Sequence, residues 1–214
     1  MRWTTDPINR SIATMRRVLY GFPLSGNSYR ARLVLQLLEL PFEHRLVNLV
    51  TGAQRQPELL ARNPLGQVPV LVEGERVLRD SHAIVGYLAS SYGGDAWYPS
   101  DPYDRALIHQ WMFFDANELH NGIGYARNHF TFGIPWDGEA ARKRGLAAIA
   151  VLAQRLAARD WLELGRPTLA DITCFPLVAL SEDAKISLAE FPSVQAWLER
   201  VRALPGFVPM FGDQ

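Results

Sequence analysis

Two short stretches hold the residue types best suited to recognising a ligand, Val68-Pro69 and Asp80-Ser81. Pro69 stands where the apolar run Val70-Leu71-Val72 begins. A proline cannot donate to a sheet ladder, so it belongs at a strand's first residue or on an edge. The main-chain N–H and C=O of Val68 are then left for an extended molecule lying alongside. Downstream, Asp80 and Ser81 precede Ile84, Val85, Tyr87 and Leu88, which recur at helical spacing. A helix therefore opens near Ser81, and its unpaired first-turn amides together with the Ser81 hydroxyl suit a carboxylate. An ammonium on the same ligand would pair with Asp80. The purely structural alternative is that Asp80 and Ser81 only cap the helix. Taken together, these features call for a ligand with an α-amino-acid head at residues 80 and 81 and a peptide amide at residue 68.

The elements that must position these residues follow from pattern and punctuation. Residues 17–22 read as a buried strand, 23–28 as a loop, and 28–38 as a helix stopped by Pro41; 42–49 alternate as a second strand. A polar segment with a short helix at its end fills 51–60. A hairpin turning at Gly74 then feeds the helix at Ser81. The order β-α-β-α-β-β-α is a thioredoxin-like layout. Gly, Pro and Asp crowd residues 93–103, which read as a linker. Helices are expected beyond it over 103–121, over 139–161, after a capping box from Thr168 to Asp171, and over 193–204 before Pro205-Gly206. The expected division is an extension over 1–15, an α/β domain over 16–92 and an all-helical domain over 104–214.

Composition narrows the class of protein. With 22 basic and 22 acidic residues the formal charge is zero, which points away from nucleic acid and anionic membrane surfaces. All but Lys143 and Lys185 of the basic residues are arginine. The single cysteine, Cys174, excludes an internal disulfide and a paired-cysteine redox centre, and reads as a core residue. Neither a long apolar run nor a signal-peptide core is present, so a cytoplasmic protein is expected. His44, His82, His109, His120 and His129 show no metal-ligand spacing, and no metal is expected. Residues 1–15 are polar and aperiodic up to Met15, and read as a dispensable extension or a misplaced start.

Glutathione has the required head and amide. Val68, Pro69, Asp80 and Ser81 resemble the motif of the glutathione S-transferases, and the resemblance extends over everything after residue 15. It implies a thioredoxin-like N-terminal domain, an all-α C-terminal domain, a cis bond at Val68-Pro69, and glutathione as co-substrate with a small electrophile. A cytoplasmic homodimer without metal is implied as well.

Ser25-Gly26-Asn27-Ser28 is similar to a zeta-like or theta-like serine motif, which implies Ser25 as donor to the glutathione sulfur. Its departure from the zeta pattern at Gly26 and Asn27 leaves zeta-type isomerisation without support. Asn27 is the alternative donor; Tyr20 and Ser28 are also within the chemistry, with Ser28 expected to cap its helix. The family comparison places Gln54 at the glycine end of glutathione, with Arg55, Gln56 and Gln67 as competitors. The electrophile is expected between Pro23-Leu24 and the first helix of the second domain, where Trp111, Phe114, Asn117, His120, Asn121 and Tyr125 lie on or just beyond that helix. Glutathione-dependent reduction of disulfides or peroxides, or a non-catalytic binding role, are the competing functions.

Overall fold

The structure, a computed structural model, describes residues 15–210. The expected extension thus lies, apart from Met15, outside the described residues. The chain opens with strand β1 (Arg17–Gly21), helix α1 (Gly26–Leu37) and strand β2 (Glu43–Leu46), then a single 3-10 turn and the short α2 (Pro57–Leu60). Strands β3 (Val70–Glu73) and β4 (Arg76–Arg79) form the hairpin, and α3 (Ser81–Leu88) follows it. The four strands are ordered β2-β1-β3-β4, with β1 parallel to β2 and antiparallel to β3. This is the thioredoxin-like layout expected from the sequence.

Alternation along the strands divides the core between two layers, because successive side chains point to opposite faces of the sheet. Leu19 and Leu71 face α1 and α3 and join one large cluster with Leu33, Ile84 and the helices of the second half. Val18, Tyr20 and Val70 face the other way and pack on Val47, Leu59 and Val68. The second strand is shorter than its alternation suggested. Leu46 is already exposed, and the chain turns away after Val47 donates to the Gly21 carbonyl. The stretch read as a linker contains the helical turn α4 (Gly94–Trp97).

The second half is helical throughout. Helix α5 (Pro102–Phe114) is capped by Asp101 and runs without a break through a π-helical stretch, Asp115–Gly124, into α6 (Tyr125–Phe132). Helix α7 (Gly138–Leu156) crosses that stretch so closely that a Cβ at Gly122 would stand 2.6 Å from the Gly145 main chain. Only glycine at both positions permits this contact. Helix α8 (Leu169–Ala179) begins at the expected box, with Thr168 and Asp171 capping each other's main chain. The Asp171 carboxylate also accepts from Leu162 N and Trp197 Nε1 at 2.9 Å each, tying α8 to α9 (Pro192–Arg202). Burial pushes its pKa up to about 6, against the pull of those donors.

Candidate active site

A cleft of about 710 Å³ lies between the α/β half and the helical half. Ser25, Asn27, Gln54, Gln67, Val68, Pro69, Asp80 and Ser81 all line it. Trp111 and Phe114 do not. The face of the long helix that meets the cleft carries Ala116, His120, Gly124 and Asn128 at four-residue spacing, and the two aromatics lie off that stripe. Trp111 instead donates its indole N–H to Glu163 at 2.9 Å and packs edge-on against Phe114. His120, expected there from the sequence, does lie on that stripe, whereas its small members Ala116 and Gly124 are ones that a search for large apolar side chains passes over. Asn117 and Asn121 bond to one another outside the cleft.

The Val68-Pro69 bond is cis, and β3 begins immediately after it at Val70. The ladder to β1 opens with Val70 opposite Tyr20, so the Val68 main chain lies beyond the last pair and makes no hydrogen bond among the described residues. Buried Asn63 braces the preceding turn by donating to Gln67 O at 2.9 Å and accepting from Leu65 N at 3.1 Å. Gln54 sits at the rim with its Oε1 buried and unpaired, which leaves that amide requiring a partner. Arg55 and Gln56 do not line the cleft.

Helix α1 begins two residues earlier than its pattern suggested, and Ser25 rather than Ser28 caps it. The Ser25 Oγ accepts from Ser28 N at 3.2 Å, while the Ser28 hydroxyl, buried in the first turn, accepts from Phe22 N. A hydroxyl has one proton and two lone pairs, so a capping Ser25 keeps its proton to donate outward. Arg127, reaching across from α6, fixes the adjoining loop by donating to Leu24 O at 2.7 Å.

Ser81 and Asn27 are oriented in the same manner, by one side chain. The wholly buried Arg30 donates to Ser81 Oγ at 2.7 Å and to Asn27 Oδ1 at 2.8 Å, leaving the Ser81 proton and the Asn27 amide N–H groups for a ligand. The same guanidinium donates to Thr173 O and pairs with Asp115, itself fully buried. His82 Nε2 lies 2.7 Å from that Asp115 carboxylate, and its Nδ1 is 3.7 Å from Asp80 Oδ1. Burial and Arg30 disfavour the imidazolium, yet the two carboxylates outweigh them and the His82 pKa is raised. Asp80 in turn is held well below the ordinary carboxylate range by His82 first, then by the main-chain N–H groups of Ala83 and His82 acting against burial.

Asp80 therefore both caps and presents charge. Its Oδ1 accepts from His82 N and Ala83 N, while Oδ2 makes no hydrogen bond among the described residues. Its backbone is at φ 71° and ψ 126°, outside the regions a non-glycine residue ordinarily adopts, and such strain concentrates at ligand sites. Neither Arg30 nor Asp115 could be assigned to the site from the sequence, because nothing in their spacing shows that one guanidinium spans three elements.

The opposite wall is apolar. Leu24, Phe132 and Trp136 are each more than a third exposed, which is unusual for side chains of this size, and all three line the cleft with Ile134. Among the described residues no group of three or more potential metal ligands occurs, and no helix is long and apolar enough to cross a membrane.

An α/β half with an unpaired Val68 main chain and the Asp80-capped start of α3 faces a helical half with exposed Phe132 and Trp136 across one cleft. The family models for the glutathione S-transferase N-terminal domain and C-terminal domain match residues 19–96 and 137–205. Glutathione S-transferase D7 of Drosophila melanogaster is 33% identical over 88% of this chain and 86% of its own length. Maleylacetoacetate isomerase of Rhizobium meliloti is 34% identical over 89% and 93%. Among solved structures, a possible glutathione S-transferase from Rhodopseudomonas palustris superposes with a TM-score of 0.85 at 36% identity, covering 91% of this chain and 97% of that one. A glutathione transferase homologue from Drosophila mojavensis, solved with bound glutathione, has a TM-score of 0.81 at 28% identity over 90% of each chain. This chain belongs to the glutathione S-transferase family.

Proposed function

We propose that the protein binds glutathione in this cleft, holds its sulfur as a thiolate and transfers it to small electrophiles. In this reading the γ-glutamyl carboxylate meets the Ser81 hydroxyl and first-turn amides of α3, and its ammonium meets Asp80. The cysteinyl main chain pairs with Val68, and the glycine end reaches Gln54 and Gln67. The observation that carries the reading is the convergence on one cleft of an unpaired Val68 main chain with hydroxyls at Ser25 and Ser81, each accepting one hydrogen bond from the protein and keeping its own proton to donate.

Ser25 donates to the sulfur in this reading, which is supported by its position at the N-cap of α1, where the helix dipole also favours an anion. A free thiol of pKa ~8.5 is about 3% ionised at pH 7. Lowering that pKa by ~2 units takes about 2.7 kcal/mol and makes roughly three quarters of it thiolate, a gain of about 25-fold. Further acceleration comes from holding the electrophile against the sulfur in a dry cleft. Asn27 is the competing donor, because Arg30 holds its Oδ1 and leaves the amide N–H groups free.

The protein is further proposed to work as a cytoplasmic homodimer, a state supported by exposed apolar residues such as Tyr103 and Phe113 on α5. Calorimetry with glutathione, followed by turnover of chlorodinitrobenzene and of a mixed disulfide, tests the reading. Conjugation without disulfide reduction is the expected result, with Asp80→Ala weakening glutathione binding. Binding without turnover of either compound would mean a scaffold instead.

A further inference from the structure

His120 lies at the centre of the helical wall of the cleft, within the π-helical stretch between α5 and α6. Such stretches shift the register of a helix and are frequent at functional sites. It is the one histidine lining the cleft, among the described residues, that no carboxylate or carbonyl engages: it makes no hydrogen bond, whereas His82 is held by Asp115. Its ring packs edge-on against Tyr125, which stacks on Trp136 with centroids 4.0 Å apart. Gly124, one turn on, would place a Cβ 3.4 Å from His120 Nδ1, so a glycine there keeps that edge of the ring clear. Among the described residues His120 and Asn128 are the polar side chains of this wall without a hydrogen-bond partner, and of the two His120 is the ring that shares the cleft lining with Leu24, Phe132, Ile134 and Trp136.

We propose that His120 is a catalytic residue, donating a hydrogen bond to the oxygen of a conjugated carbonyl electrophile that lies flat against Phe132 and Trp136. This rests on the reading of the cleft as a glutathione-conjugating site and names its substrate class. The thiolate sulfur bonds to the β-carbon, the π pair of the C=C bond moves toward the carbonyl, and negative charge arrives on oxygen. His120 keeps its proton and stabilises that enolate by donation. The α-carbon then takes a proton from solvent, which replaces the one released by the thiol on activation, so the addition is balanced.

A neutral imidazole is the form this needs, since an imidazolium beside the thiolate would tend to protonate it. Burial lowers the His120 pKa and Arg30 lowers it further, against the smaller opposing pull of Asp115. Apolar walls with a few placed polar groups are the usual make-up of small-molecule sites, and a donor aimed at a developing oxyanion is worth far more there than in water.

The test compares an enone with a benzyl halide, whose departing charge lies on halide and not on a carbonyl oxygen, in the wild-type protein and in His120→Phe and His120→Gln. Loss of one oxyanion donor typically costs on the order of 100-fold in kcat. His120→Phe is expected to lower the enone-to-halide ratio of kcat by at least about 30-fold. His120→Gln, which retains a donor, is expected to restore much of it. Unchanged glutathione affinity by calorimetry confirms that each variant is folded. A ratio that does not move in His120→Phe, or one that falls equally in His120→Gln, overturns the assignment while leaving the transferase reading intact. If the wild-type protein binds glutathione and conjugates neither compound, both are wrong.

Discussion

Replacing Asp115 by alanine removes one half of a fully buried ion pair and tests whether Arg30 orients the site. Arg30 and Asp115 have no exposed side-chain surface, so the variant leaves a guanidinium charge in the interior with only neutral acceptors at Thr173, Asn27 and Ser81. Breaking a buried pair from one side costs about 3–5 kcal/mol. At roughly 2–4 °C per kcal/mol for a chain of this size, the melting temperature should fall by about 6–20 °C. The double variant Arg30→Met with Asp115→Leu removes both charges and should recover most of that loss, because an apolar pair of similar volume often replaces a buried ion pair without penalty.

Glutathione binding should not recover with it. Without Arg30 the Ser81 hydroxyl and the Asn27 amide are free to turn, and a hydrogen bond to a charged group is worth about 1.5–3 kcal/mol. That is roughly a 10- to 150-fold rise in Kd. Thermal melts and calorimetry on the two variants separate the contributions. A single variant that melts within about 3 °C of wild type, or a double variant that binds glutathione as tightly as wild type, would refute the role given to Arg30.

Two further outcomes follow from the site. Ser25→Ala should shift the pH profile of kcat/KM upward toward the free thiol value of ~8.5 and lower turnover at neutral pH by up to about 25-fold, with little change in glutathione affinity. It also removes the α1 cap, at about 1 kcal/mol of stability. If Asn27→Ala moves the profile and Ser25→Ala does not, the donor is Asn27. For His82, a pKa raised in the fold means that its contribution to stability is complete below pH ~6.5 and is lost as pH climbs through the raised value. The melting-temperature gap between wild type and His82→Gln should therefore be wider at pH 6 than at pH 9 by roughly the worth of one charged pair; a gap that is constant or widens with pH contradicts the assignment.

The sequence by itself picked out two of the segments that line the cleft. Val68-Pro69 and Asp80-Ser81 were identifiable because each is a local event: a proline that ends a ladder and an acid-hydroxyl pair that opens a helix both act through the chain immediately around them. Tertiary structure decided the rest. It moved the cap of α1 from Ser28 to Ser25, which changes what the Ser25 proton is free to do. It also turned Trp111 and Phe114 away from the cleft and left His120, of the residues expected on that helix, facing it, since the facing stripe of a long helix depends on which neighbours it packs against. Most of all, it placed Arg30 and Asp115 together inside the protein, far apart in sequence, so that one buried charge pair orients Asn27, Ser81 and His82. Periodicity records which side of an element is apolar, but a buried polar contact between distant elements leaves no period behind, and only the folded chain reveals it.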